Sequence, residues 1–432
     1  MIKTIKVTNL QSFAASVIPK QPQKNKKIVE SIINNVKKNG DKSIRQYEKK
    51  FSGATISSLR VSEAEIKSAF SAVSKSEISA IRQAKSRVQK TESALKSLLK
   101  NKNINHDGIK ISKKFIPIAS VGCYIPGGLA KYPSSAVMSI VPAKTAGVKR
   151  IVAVSPPNSK GKIDPLTIVA AKISGADEIY KTGGAQAIAA LSYGTKSIPP
   201  VDKIVGPGGA FVTAAKSLVS DSTGIDMLAG PTELGIIADS SADPKYIALD
   251  LISQSEHSSD TFCYCITISE KLAKSVSQSI SEILPKIKRG KIVKSSLKNN
   301  GFIAIVKTKT EMIELANILS PEHLQIMTRN PESDSSKITT SGLVLLGNYS
   351  PSSASDYILG SNHILPTNGF GKIRGSLSIF DFIKINTIVT SSKSSLSKIS
   401  KPLDALTASE GLYNHYEAVR GRLEWKIGLI KK

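Results

Sequence analysis

The chain is poor in the residues that staple small folds or dress recognition surfaces. Among 432 residues it has three cysteines, one tryptophan and five histidines, and aromatics make up 5%. Cys123, Cys263 and Cys265 form an odd, sparse set, which argues against a disulfide framework and against a cysteine-built zinc site. Cys263 and Cys265 fall two apart in TFCYCITIS, an alternating strand pattern, so both point to one face; buried inert thiols are expected rather than a redox pair. Long apolar runs are missing too. The uncharged stretch from Phe115 to Ala130 is broken by Pro117, Pro126 and glycines, so it cannot form a membrane-spanning helix. The N-terminal text MIKTIKVTNLQSFAASV interrupts its apolar part with Asn9, Gln11 and Ser12, unlike a secretory core. A cytoplasmic protein with no membrane partner is expected.

Acidic residues are scarce relative to basic ones, 33 against 60, for a net charge of +27. The excess is uneven: residues 1–150 carry 29 basic and 8 acidic side chains. A polyanion partner such as a nucleic acid is one reading. The lysines, however, are scattered around helix-like text such as KSRVQKTESALKSLLKNK with few aromatics to stack bases, which favours a solvated basic face and no specific nucleic acid.

What is present is enough apolar material, 40% of residues, for substantial cores, and a length that suits two to three folding units. Residues 1–25 read as an N-terminal arm ending at Pro19 and Pro22. Helical spacing then runs from Lys27 to Phe51 and from Ser62 to Leu99, with Ser62 and Glu65 set as a capping box. Asp107-Gly108 marks a turn into the strand ISKKFIPIA. From about 120 the text alternates strand and helix, the signature of parallel sheets with crossovers: RIVAVSPP, DEIYKT, VDKIVG, LGIIAD, TFCYCITIS, GFIAIV and LVLLG read as strands. After about 378 a serine- and lysine-rich stretch leads to a short helical tail.

Four of the five histidines lie beside a carboxylate or amide. Gln254 and His257 are three apart at a helix end and share a face; they can present two donors to one metal, or His257 can simply meet the helix dipole. Glu322-His323 follows Ser320-Pro321, a context that suits an exposed turn; a carboxylate beside an imidazole is either an acid–base pair or an ordinary surface pair. Glycine-rich turns at 122–128, 183–184 and 206–209 sit at strand-to-helix junctions, where helix starts can receive phosphates, yet none fits G-x-G-x-x-G and there is no Walker A sequence.

Taken together, VGCYIPGGLAKYPSSAVMSIVPAKTAGVKRIVAVSPP, GGAQAIAAL, VDKIVGPGGAFVTAAK, IDMLAGPTELGIIAD, LISQSEH, LSPEHLQI, SASDYILGSNHILPT and SEGLYNHYEAV resemble the histidinol dehydrogenase family over nearly the whole chain. The resemblance implies an α/β fold of two incomplete Rossmann-like units, aldehyde-dehydrogenase-like, with a small N-terminal arm and a C-terminal helical piece. Its implied segments are 1–25 for the arm, 26–123 plus 234–377 for the zinc and substrate domain, 124–233 for the NAD-binding domain, and 378–432 for a segment exchanged in a homodimer. The implied activity is zinc-dependent oxidation of L-histidinol to L-histidine through histidinal, with two NAD, as the last step of histidine biosynthesis. Gln254, His257, Asp356 and His415 match zinc ligands, also in reach of substrate, and Glu322 and His323 match the catalytic pair. Thr232, Glu322, His323, His363 and Glu410 match substrate contacts, and Tyr124, Gln186 and Gly209 match cofactor contacts. Thr232 stands where the family usually has serine and Gly209 where it has asparagine. Glu410 and His415 would complete the site of the other subunit. The nearest competing expectation is a related NAD-dependent enzyme acting on another alcohol, such as a sulfonated diol.

Overall fold

The structure, a computed structural model, describes residues 2–19, 25–127 and 131–424. Parts of the expected arm, of the first glycine turn and of the helical tail therefore lie outside the described residues. The strands are β1 (Lys3–Lys6), β2 (Lys102–His106), β3 (Ile109–Pro117), β4 (Ser120–Tyr124), β5 (Arg150–Ser155), β6 (Glu178–Lys181), β7 (Lys203–Val205), β8 (Gly224–Ile225), β9 (Glu233–Ala238), β10 (Phe262–Thr267), β11 (Phe302–Ile305), β12 (His323–Met327), β13 (Leu343–Leu346) and β14 (Ile383–Thr390). They fall in two units: a larger one, Met1–Lys96 with Ile118–Phe382, and a smaller one, Ser97–Pro117 with Ile383–Lys432.

The larger unit holds the expected α/β architecture, as two parallel sheets. One has the order β6-β5-β4-β7-β8 and the other β1-β11-β10-β9-β12-β13. In the first, the chain leaves β4 for β5 and β6 and then returns to the opposite side of β4 as β7, so strand order reverses between β4 and β7. In an open doubly wound sheet that reversal opens a crevice at the carboxyl ends of the strands. Gly206, which follows β7, sits at φ +113°, and a Cβ there would lie 2.2 Å from the carbonyl oxygen of Tyr124. Only glycine lets the two strand ends close at this point.

Buried strands explain the continuous apolar text. β10 sends Cys263 and Cys265 into one core and Phe262, Tyr264 and Ile266 into the other. All three cysteines are free and buried, and burial pushes their thiols up to about 12, as expected of inert thiols. Phe13, on the helix Leu10–Val17, packs edge-on to Phe302, which stacks on Tyr264 at 5.0 Å. Each such aromatic pair adds about 0.5 to 1.5 kcal/mol beyond area burial, and this cluster fastens the N-terminal segment, whose β1 pairs with β11.

Each of the two expected long helices is in fact two. Gly40, at φ 51°, separates Lys26–Asn39 from Asp41–Ser52. Ser74 starts a new helix, Lys75–Ser97, where Glu77 accepts the Ser74 N–H. The Ser62–Glu65 capping box is present. Asp107 and Gly108 both take positive φ in the β2–β3 turn, as the Asp-Gly pair implies.

The smaller unit is an antiparallel sheet, β14-β3-β2, and the helices Lys393–Ser409 and Tyr413–Glu424. β2 and β14 are additions to the sequence reading: their mixed polar text is exposed along almost its whole length and carries no clear alternation. Among the described residues of this unit only Ser395 and Thr407 are buried.

Candidate active site

A cavity of about 380 Å³ in the larger unit is bounded by Gly127 and Gly206–Gly209 from the β4 and β7 ends and by Thr232, His257, Glu322, His323, Asp356 and His363 from the other sheet and its loops. Seven residues matched by resemblance thus share one cavity, counting Gly209. A neighbouring cavity of about 610 Å³ meets it at Gly208, Gly209, Ala229, Gly230, Thr232 and His257.

Strand starts position the chemistry. The chain enters β12 from the helix Lys309–Leu319 through Ser320, left-handed at φ 48°, and this sharp stop delivers His323 at the first position of the strand and Glu322 just before it. The expectation of an exposed turn is corrected here: Glu322 is 7% and His323 2% exposed, because β12 lies between β9 and β13. The Thr232 hydroxyl donates to Glu322 Oε2 at 2.6 Å and the Glu233 N–H donates to the same oxygen at 2.8 Å. Gln254 Nε2 in turn donates to the Thr232 hydroxyl at 2.9 Å. The threonine therefore supplies the accept-and-donate relay that a hydroxyl at this position permits. Oε2 is committed, and Oε1 is the carboxylate oxygen left for other partners.

His323 Nδ1 lies 3.2 Å from the Glu233 carbonyl oxygen and Nε2 lies 3.2 Å from Asp356 Oδ1. A carbonyl can only accept, so the proton belongs on Nδ1 in the neutral ring and Nε2 is the basic nitrogen. Burial resists charging of His323, but the Glu322 and Asp356 carboxylates outweigh it and raise the ring to about 9. Burial also raises Glu322. His363 Nδ1 donates to the Asp356 carbonyl oxygen, 2.7 Å away, since that oxygen can only accept. Its Nε2 is 3.4 Å from the Ser135 hydroxyl on the helix Pro133–Ala146.

His257 is exposed at the cavity rim, and His257 and Asp356 each feel the other's charge. With the Gln254 amide they make a nitrogen and oxygen donor set suited to a borderline cation. Among the described residues no group of three or more His, Cys, Asp or Glu is placed to hold a metal. The larger unit thus brings together three of the four matched donors, one of them an amide. Glu410 and His415 are exposed residues of the smaller unit, at the end of Lys393–Ser409 and on Tyr413–Glu424.

Tyr124 and Gln186 are buried and do not line either cavity. Gln186 Nε2 donates to Glu48 at 2.9 Å, and Glu48 also accepts the Gly183 N–H and the Thr182 hydroxyl. The start of the helix Gly184–Tyr193 is therefore filled by a protein carboxylate, while Tyr124 Oη takes the Gly184 N–H. Gly209 opens the helix Ala210–Val219 with open space around its Cα.

Sequence reasoning missed Glu233. Its carboxylate accepts the N–H of Glu322 at 3.1 Å and of Asn368 at 2.9 Å, tying the catalytic strand to the 367–368 loop. Burial, aided by the Glu322 charge, lifts it to about 8 despite those two donors. A carboxylate opening the apolar strand ELGIIA is the signal that could have found it, since a buried charge needs specific partners.

A switch-point crevice on one parallel sheet facing a buried carboxylate–imidazole pair on another is the arrangement of a dehydrogenase of the doubly wound α/β class. A betaine aldehyde dehydrogenase from Staphylococcus aureus shares the fold at a TM-score of 0.50, with 13% identity, covering 88% of this chain and 86% of that one. The family model described as histidinol dehydrogenase matches residues 18–423. Histidinol dehydrogenase of Methanococcus maripaludis is 42% identical over 91% of this chain and 92% of its own, and that of Bacillus subtilis 40% identical over 98% of each. A crystal structure of histidinol dehydrogenase from Elizabethkingia anophelis superposes with a TM-score of 0.92 at 34% identity, covering 98% of both chains. The chain belongs to the histidinol dehydrogenase family, a family of NAD-dependent oxidoreductases.

Proposed function

We propose that the protein oxidises L-histidinol to L-histidine through histidinal, using two NAD in succession and a zinc ion, at sites shared between two subunits in the cytoplasm. The observation that carries this reading is the convergence of Thr232, Glu322, His323 and Asp356 on one cavity, with Gln254 bonded to Thr232 behind it, opposite the β4–β7 crevice.

His323 in its neutral form takes the alcohol proton at Nε2 as the carbinol hydride leaves for the nicotinamide; an alcohol cannot lose hydride without losing that proton. Asp356, which holds a proton on Nε2 while it faces the ring, would release it on turning to a cation. Glu322, held by Thr232 and the Glu233 N–H, keeps one oxygen free to take a proton from water as the water oxygen bonds to the aldehyde carbon, and His323 returns its proton to the aldehyde oxygen to give the hydrate. His323 then removes a hydroxyl proton from the hydrate as the second hydride departs. Two hydrides, one water and the released protons balance the conversion of the alcohol to the carboxylate. Thr232, Glu322, His323 and His363 contact the substrate. Of the matched cofactor positions, Gly209 would serve the dinucleotide through a backbone N–H in place of the asparagine side chain, whereas Tyr124 and Gln186, buried and off both cavities, would act through the helix start that they hold. Gln254, through the Oε1 left by its bond to Thr232, His257, Asp356 and the partner subunit's His415 would hold zinc. Zinc bound there supplies a positive centre that gathers the imidazole and amino nitrogens of the substrate.

A homodimer is supported by the exposed apolar side chains of the smaller unit, among them Leu406 at 63% and Tyr413 at 66%. Among the described residues no helix is long and apolar enough to cross a membrane.

The test is NADH absorbance on adding L-histidinol, before and after chelation and zinc return, with histidine counted against NADH. Two NADH per histidine, lost on chelation and restored by zinc, is expected. A folded, zinc-loaded dimer without turnover would overturn the substrate assignment and direct the search to other alcohols.

A further inference from the structure

Lys216 and Asp226 form an ion pair at 2.5 Å with side chains 3% and 0% exposed. Burying two charges costs several kcal/mol of desolvation per ion, so the pair needs a reason beyond packing. Both partners grip one peptide residue: Lys216 Nζ donates to the Gly206 carbonyl at 2.6 Å, and Asp226 Oδ2 accepts the Gly206 N–H at 2.7 Å. Asp226 Oδ1 also accepts the Met227 N–H, and Arg374 donates to the Asp226 carbonyl. Gly206 is the left-handed residue pressed against the end of β4, and it begins the Gly206–Gly209 loop that lines the site cavity, with Gly208 and Gly209 shared by the neighbouring one. An apolar pair of the same volume would leave both Gly206 groups buried without partners.

We propose that the Lys216–Asp226 pair is a positioning device for the dinucleotide: it sets the path of the Gly206–Gly209 loop, and so the affinity for NAD, without touching L-histidinol or the metal. The proposal rests on the NAD reading above. The strand end at β7 is short, three residues, and three of the four loop residues are glycine, so ahead of Pro207 and the helix start the loop's own sequence gives Gly206 little restraint. The pair replaces that missing local restraint with two charge-assisted hydrogen bonds.

The test compares wild type with the double variant Lys216→Met, Asp226→Asn, which removes both charges together. NADH binding is titrated by fluorescence, zinc content is measured, and KM is determined separately for NAD and L-histidinol. Expected are roughly tenfold weaker NADH binding and a matching rise in the KM for NAD, with zinc content and the KM for L-histidinol near wild type. A folded double variant that binds NADH as wild type does would overturn the proposal, as would an equal loss of affinity for both ligands. If the double variant misfolds, the isosteric Asp226→Asn protein decides by the same criteria. Wild-type protein that binds no NADH at all would instead sink the NAD reading, which the unmodified protein reveals before any variant is made.

Discussion

The two units of this chain obey different rules. The larger one closes its own cores: β4, β5, β9, β10 and β12 are buried almost throughout. The smaller one has complete secondary structure, with β14 and β3 paired over eight positions, yet buries only Ser395 and Thr407 among its described residues. Backbone hydrogen bonds can be satisfied within a three-stranded sheet and two helices, whereas apolar area needs a second surface to cover it. Glu322 and His323 sit in the self-sufficient unit and Glu410 and His415 in the other. In the proposed homodimer a rigid, desolvated acid–base pair would thus be separated from groups whose placement depends on assembly.

The comparison can be broken most sharply at His323. His323→Gln should lower kcat by about 10² to 10⁴ while zinc content, read by atomic absorption, stays near wild type; a parallel loss of metal would place His323 in the coordination shell. His415→Asn, on the smaller unit, should lose both zinc and turnover. Mixed with His323→Gln it should recover activity in heterodimers, since one site would then draw intact groups from each subunit. Verified heterodimers without recovery would show that each chain completes its own site.

Stability measurements sharpen the same contrast. Leu191→Ala, in the closed core against Gly122, should cost about 2 to 5 kcal/mol by urea unfolding. Leu406→Glu, in the smaller unit, should leave the larger unit folded by circular dichroism but shift sedimentation toward monomer. The smallest effect is expected at Glu92, whose buried carboxyl accepts the Ile379 N–H at 2.8 Å. Burial, opposed by that N–H and helped by Asp381, raises it to about 7. A raised carboxyl pKa means folding favours the protonated form, so this contribution is complete below the ordinary value near 4.5 and fades as pH rises through 7. Glu92→Gln should therefore be more stable than wild type at pH 8 by about 1 to 3 kcal/mol and nearly equal to it at pH 4; equal stabilities at both pH values would show that Glu92 ionises normally.

Legibility followed burial pattern. The strands RIVAVS, LGIIA, FCYCIT and FIAI were readable because both faces are covered and their text is continuously apolar. β12 was not, since its opening Glu322-His323 looks like a surface turn until β9 and β13 are placed on either side of it. β14 was hidden by the opposite condition: its residues are mostly exposed and follow no period. The family motifs brought Thr232, Gln254, His257, Glu322, His323, Asp356 and His363 into view as a set, but nothing in their spacing indicated which atoms face which.

By itself the sequence determined the alternation of strand and helix from about 120, the inert burial of its cysteines, the turn at Asp107-Gly108, and the residue types available for acid–base and cation chemistry. These are local matters of period, composition and backbone freedom. Tertiary structure alone decided that Glu233 orients both members of the catalytic pair, that Glu48 fills one helix start, and that Lys216 and Asp226 grip Gly206. Each of those contacts joins segments whose distance in space is set by strand order, and strand order is a property of the packed sheet rather than of any stretch of text.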